Sequence, residues 1–185
     1  MKKVNIIAEI GVNHNGSYMI AKKMIKEAKK NGADAVKFQN FNPEEMALES
    51  TKKAKYQIRT TSKSETHFQM LQRYRLEDKE YKKLREFAKK INIKFISTPF
   101  DFKSLKFLVT DLKLERIKVS STDIDNIPLL IEIGRLNINV ILSSGMSSIQ
   151  DVDLALSALA YGNRNYKRTF SLKKDKLFYK KNYNY

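Results

Sequence analysis

The chain has 185 residues, 42% of them hydrophobic and 30% charged, which is enough for one domain with a substantial core and is the composition of a globular protein in water. It contains no cysteine, which excludes disulfides and thiolate metal sites, and the apolar stretch behind Lys2 and Lys3 is broken by Glu9, so neither a signal peptide nor a membrane span is expected and the cytoplasm is the expected location. The formal net charge of +16 raises a nucleic-acid or acidic-surface partner, but the charge is concentrated in residues 164–185, which hold eight basic residues against one acid, Asp175.

The first apolar run, residues 4–10, reads as a strand with a single carboxylate, Glu9, inside it, and leads into Asn13, His14 and Asn15. Residues 18–30 place Ile20, Met24, Ile25 and Ala28 on one stripe and predict a helix, which residues 31–34 end with Gly32 as the left-handed residue. A second strand over 35–38 carries Lys37 and leads to Gln39. After a long connection, residues 79–90 form a helix with Leu84, Phe87 and Ala88 on one stripe, and a third strand over 94–96 precedes Ser97, Thr98 and Asp101. A fourth strand over 116–119 carries Lys118 ahead of Ser120 and Ser121. A fifth over 139–142 precedes Ser143, Ser144 and Met146.

Near-continuous apolar strands alternating with helices predict an α/β fold with a parallel sheet, as an open doubly wound sheet or a (β/α)8 barrel. Both bind ligands at the carboxyl ends of the strands, so the residues named after each strand belong together. Lys37 and Lys118 are costly to bury without a counter-charge, and the hydroxyls of Thr98, Ser121 and Ser143 add neutral donors. The set predicts a pocket for a small, multiply charged anion. The competing expectation is a structural network in which the lysines pair with Glu9 and with Asp101 or Asp123.

The segments IAEIGVNHNG, GADAVKFQ, FISTPFD, IKVSS and VILSSGM, in this order and at these intervals, resemble the N-terminal part of the N-acetylneuraminate (sialic acid) synthase family, over residues 4–163. The connection over 56–76 is similar to that family's excursion after the second strand, in a group that includes synthases of legionaminic acid. Two segments depart mildly: Ser143-Ser144-Gly145-Met146 stands where many relatives have Ser-Thr-Gly-Met, and KVSS where KIGS or KIPS is common.

The resemblance implies the first five βα units of a TIM (β/α)8 barrel. It implies condensation of phosphoenolpyruvate with N-acetylmannosamine or a related N-acetylated sugar, releasing phosphate and forming N-acetylneuraminate or a related nonulosonic acid. C3 of phosphoenolpyruvate attacks the open-chain aldehyde, a divalent cation (Mn²⁺ or Mg²⁺) polarises the aldehyde oxygen, and water adds at C2 before phosphate leaves. By the same resemblance Lys37, Thr98, Lys118, Ser121 and Ser143 hold phosphoenolpyruvate, Glu9 is catalytic and assists proton transfer, and Asn13, His14, Asn15 and Gln39 line the sugar subsite. The family's metal ligands are two histidines on later strands, so this chain is expected to contribute no metal ligand. His14 is not one of the two, and His67, on the excursion, is expected at the surface. Complete relatives pair as homodimers.

Past Gly162 and Asn163 the family continues with the remaining strands and a small antifreeze-like domain. Here residues 164–185 are a basic, low-complexity run without Gly, Pro, Ala, Val or Ile, as AT-rich DNA yields out of frame. The expectation is a partial barrel domain over 1–163 followed by a non-native tail, the gene being interrupted near codon 163. A partial barrel raises two alternatives, an inactive fragment of such a synthase and another phosphoenolpyruvate-dependent synthase of 3-deoxy sugar acids. A tail with Tyr166, Phe170, Phe178, Tyr179, Tyr183 and Tyr185 among its cations also admits nucleic-acid stacking, which the low-complexity reading outweighs, so no nucleic-acid or membrane partner is expected.

Overall fold

A computed structural model describes residues 4–60 and 64–164. The expectations placed on the basic run past Arg164 lie outside the described residues. The chain divides into two compact units, 1–114 and 115–185.

The first unit contains β1 (Ile7–Gly11), α1 (Tyr18–Lys30), β2 (Ala35–Asn40), three short helices α2 (Pro43–Met46), α3 (Lys55–Thr60) and α4 (His67–Tyr74), then α5 (Asp78–Lys90), β3 (Lys94–Pro99) and α6 (Phe102–Lys106), which runs into a π-helical turn over Phe107–Asp111. β1, β2 and β3 lie side by side in that order and pair in parallel. The expected first strand begins three residues late, at Ile7. Ile6 instead anchors the chain to the end of α1's connection, its N–H donating to Asp34 Oδ2 at 2.9 Å and its carbonyl accepting from Asp34 N at 2.9 Å. The third strand runs three residues further than expected, so Ser97 and Thr98 lie within the sheet.

Alternation of side chains along a strand gives each sheet two faces. Val36 and Phe38 point into a core built with Ala21 and Ile25 of α1 and Tyr81, Leu84 and Ala88 of α5, the i, i+3, i+7 stripe of that helix. Phe38 sits at its centre, stacked on Phe95 with ring centroids 4.9 Å apart and meeting the Tyr81 ring edge-on at 5.9 Å. Ser17 caps α1 by accepting from Ile20 N at 3.4 Å, and Lys29 and Lys30 suit the negative end of its dipole. Gly32, at φ +86°, stops the helix in the left-handed conformation predicted for it.

The second unit contains β4 (Arg116–Val119), α7 (Ile127–Arg135), β5 (Asn139–Leu142) and α8 (Ile149–Asn163). β4 and β5 pair in parallel, and their bounds are those predicted. α7 and α8 cross at two glycines: a Cβ on Gly134 would collide with the Leu159 carbonyl, and one on Gly162 with the Ile131 carbonyl. Among the described residues no helix is long and apolar enough to cross a membrane.

Candidate active site

Register aligns Glu9 with Lys37 and Lys37 with Ile96, and pairs Gln39 with Thr98, so these side chains share the sheet face opposite the Phe38 core. Lys37 Nζ is ion-paired with Glu9 Oε2. The lysine side chain is 13% exposed and the glutamate 49%. The desolvated ammonium thus has its counter-charge on the neighbouring strand, and the carboxylate that supplies it remains in reach of solvent. Gly11 leaves room for this. It lies where the β1–β2 register slips, at φ +55°, and a Cβ there would stand 3.1 Å from Glu9 Oε1 and 3.5 Å from Gln39 Nε2. The carboxylate and the amide therefore converge over a glycine.

Of the partners the sequence offered Lys37, the structure selects Glu9. Asp101 is engaged elsewhere: its Oδ1 accepts from Ser104 N at 2.7 Å and from Asn42 Nδ2 at 2.9 Å, and its Oδ2 from Ser104 Oγ at 2.7 Å and Asn42 N at 2.8 Å. It caps α6 and ties that helix to the end of β2.

The β1–α1 connection turns on Asn13 N donating to Ile10 O and Asn15 N to Val12 O, both at 3.0 Å, with Asn15 at φ +51° and Gly16 at φ +75°. These turns expose Asn13 and Asn15 and bury His14, which is 1% exposed and stacked on Phe38 at 5.9 Å. Its Nδ1 accepts from Gly16 N at 3.1 Å. Burial pulls its pKa down to about 4, so the ring is neutral at pH 7. His14 thus belongs to the core of the first unit, whereas its two asparagine neighbours face outward. Thr98 is also buried, and His14 Nε2, Ser97 Oγ and Thr98 Oγ1 find no hydrogen-bond partner among the described residues.

Asn13, Asn15 and Gln39 line a cavity of about 350 Å³. Gln57 of α3 and Tyr74 of α4 add further polar groups, and its apolar wall includes Met46, Met70 and Leu71 from α2 and α4. Gly16 lets the β1–α1 connection approach α4, because a Cβ there would collide with the Arg73 carbonyl at the end of that helix. Sequence reasoning found the three polar residues on the β1 and β2 ends and missed the wall. The helical stripe of α4, with Met70 and Leu71 buried beneath a Thr66 capping box, was the available signal. His67, expected at the surface, is half-buried and hydrogen-bonded through Nδ1 to Gln57 Oε1 at 3.2 Å, so it braces the helix that carries Gln57.

In the second unit Lys118 is half-buried on β4, in register with Ile141 of β5, and Ser121 opens the 3₁₀ turn that follows β4. Ser143 N donates to Val119 O at 3.1 Å, carrying the pairing past β5. A Cβ on Gly145 would stand 3.4 Å from Ser121 Oγ, which sets the two post-strand loops against each other. Asp123 is pushed above the usual carboxylate range by burial, opposed by hydrogen bonds from Asn126 and Thr122 and by the Lys118 charge.

The sequence profile of the NeuB family matches residues 24–175. The chain belongs to the NeuB family. It is 46% identical over 159 residues to the N,N'-diacetyllegionaminic acid synthase of Campylobacter jejuni, a match covering 86% of this chain and 47% of that one. To the synthase of the same name from Legionella pneumophila it is 39% identical, over 85% of this chain and 45% of that one. Among solved structures it is similar to the N-acetylneuraminic acid (sialic acid) synthetase of Leptospira borgpetersenii, determined in complex with citrate, with a TM-score of 0.73 and 32% identity over 88% of this chain and 52% of that one. The NeuB-family chain spans about half the length of the curated relatives it matches. Its alternating strands and helices with a parallel sheet are those of the α/β barrel fold.

Proposed function

We propose that this NeuB-family chain serves the condensation of phosphoenolpyruvate with an N-acetylated amino sugar to a nonulosonic acid, with release of phosphate. The observation that carries the reading is the Lys37–Glu9 pair, set within β1 and β2 on the sheet face shared with Gln39, which also lines a cavity with Asn13, Asn15 and Gln57. Names of relatives supply the product class, and the pair supplies a means of reaching it.

In this reading phosphoenolpyruvate takes Lys37 from Glu9. The anion's oxygens replace one carboxylate on the ammonium, with Thr98 on the same sheet face as a further donor, and Glu9 is released toward the reacting carbons. C3 then bonds to the aldehyde carbon of the sugar as the C=O π pair moves onto the oxygen, which takes a proton from solvent. Water adds at C2, giving one proton to the Glu9 carboxylate; the new C2 hydroxyl then loses its proton and becomes the ketone as the bond from C2 to the phosphate oxygen breaks, its electron pair and a proton leaving with phosphate. A divalent cation would supply polarisation of the aldehyde oxygen. Among the described residues no cluster of three His, Cys, Asp or Glu could hold one. Pairing of two chains and a cytoplasmic location belong to the same reading.

The test is phosphate release, measured on the chain and on a chimera in which residues 4–163 replace the aligned part of the Campylobacter synthase. The chimera is expected to release phosphate only when both substrates are present and to form a product whose mass contains sugar and pyruvate. Phosphate release that ignores the sugar, or none from a chimera with native-like circular dichroism, overturns the proposal.

A further inference from the structure

We infer that Asp101 is a positioning residue of the anion site: its buried carboxylate clamps the segment after β2 to the segment after β3 and so fixes Thr98 and Gln39 against the Lys37–Glu9 pair. This deepens the condensation reading and rests on it for the identity of the anion.

Gln39 and Thr98 are partners in the β2–β3 register, on the sheet face that carries Lys37. Three residues past each, the two segments meet again. Asn42 donates to Asp101 through its backbone N–H at 2.8 Å and its side-chain amide at 2.9 Å, and in between Phe100 N donates to Asn40 O at 3.1 Å. Residues 39–42 and 98–101 are thus bonded at both ends and in the middle, so neither strand end shifts alone. On its other side Asp101 accepts from Ser104 N and Ser104 Oγ, both at 2.7 Å, which anchors the clamp to α6.

A helix cap alone does not require this residue. At 6% exposure the Asp101 carboxylate has lost most of its hydration, and four donors from two segments replace it with charge-assisted bonds. An acceptor-only group is what four converging donors need, since a neutral amide would set an NH₂ against one of them. The same two segments are also joined at the surface, by Lys103 of α6 and Glu45 of α2 at 2.6 Å, but these side chains are exposed and such a pair contributes little. The buried carboxylate therefore carries the tie. Because Thr98 is itself buried and sits three residues before the clamp, loosening it displaces the hydroxyl from an anion held at Lys37.

Titration calorimetry with phosphoenolpyruvate and amide hydrogen exchange, both on the full chain, test the clamp. Asp101→Ser keeps a cap for α6 but is too short to reach Asn42, whereas Ser104→Ala loses a cap-side bond while both Asn42 bonds to the carboxylate remain. Asp101→Ser is expected to raise the Kd for phosphoenolpyruvate about fivefold or more and to speed exchange at Phe100 N, whose own acceptor, Asn40 O, is untouched. Ser104→Ala is expected to lower the urea midpoint yet leave the Kd within about twofold and Phe100 N protected. Should Asp101→Ser not fold, Asn42→Ala, which removes the side-chain half of the tie, takes its place and is expected to move both readouts in the same direction by less. An unchanged Kd or unchanged Phe100 exchange in the folded variant, or a loss of affinity in Ser104→Ala equal to that in Asp101→Ser, overturns the inference. A native chain that binds no phosphoenolpyruvate sinks the condensation reading instead, and Phe100 exchange then decides the clamp by itself.

Discussion

At Lys37 a mostly desolvated ammonium is balanced by a half-exposed carboxylate, so an incoming anion meets a cation whose partner can swing into water. Lys37→Ala is expected to weaken phosphoenolpyruvate binding by about 2–4 kcal/mol, roughly 30- to 1,000-fold in Kd, since a charge-assisted contact is lost. Titration calorimetry reads this directly, and an unchanged Kd would remove Lys37 from the anion site. His14 makes a different prediction. Its folded pKa of about 4 lies below the 6.5 of an unconstrained imidazole, so the unfolded chain binds more protons between these values. Stability from this group is complete above pH 6.5 and is lost as pH falls toward 4, by about 2 kcal/mol at pH 5. Urea midpoints at pH 7 and pH 5 should show that loss in the native chain and a smaller one in His14→Gln. Equal losses would mean that the ring is not held neutral by burial.

Elements meet where backbones come close. α7 and α8 approach through Gly134 and Gly162, each with a carbonyl of the other helix where its Cβ would be. Gly162→Ala must therefore separate the helices, and a destabilisation of about 1–3 kcal/mol is expected from overpacking, with loss of amide protection in both. Hydrogen exchange confined to α8 would show that the crossing tolerates the methyl. The excursion between β2 and α5 is held by a different device: Glu65 receives Arg73 at 2.9 Å and the buried Lys53 at 3.3 Å. The Arg73 guanidinium, ahead of Lys53, holds Glu65 below the usual carboxylate range. The cavity's apolar wall is thus pinned by charges that do not line it.

Over the whole molecule the net charge of +16 attracts anions from a distance, while among the described residues those lining the cavity carry no charge. The field speeds capture and the local lining sorts what stays, since long-range potentials act on encounter more than on fit. Raising ionic strength from about 0.05 to about 0.5 M is expected to slow phosphoenolpyruvate association roughly tenfold, because the screening length shrinks from more than about 10 Å to a few Å. A neutral sugar should show no such dependence. Stopped-flow traces for the two ligands check both statements, and equal salt dependence would argue against steering by net charge.

The alternation of strands and helices was legible from residue order alone, because an apolar run of strand length and a helical stripe are local patterns. β4, β5 and the left-handed Gly32 stand where the sequence put them. So was the list of chemically unusual residues, since Glu9 and Lys37 interrupt runs that folding alone would keep apolar. Three matters were decided only by tertiary structure. Lys37 pairs with Glu9 and not Asp101, because strand register makes the first a neighbour and capping of α6 occupies the second. His14 turns inward between two outward asparagines because positive φ at Asn15 and Gly16 and the ring of Phe38 set its direction. The cavity wall comes from Met46, Met70 and Tyr74, which contact distance brings to Gln39 across a long stretch of chain. Local patterns reveal which segments become strands and helices, but a pocket is a property of surfaces that only packing of distant segments brings face to face.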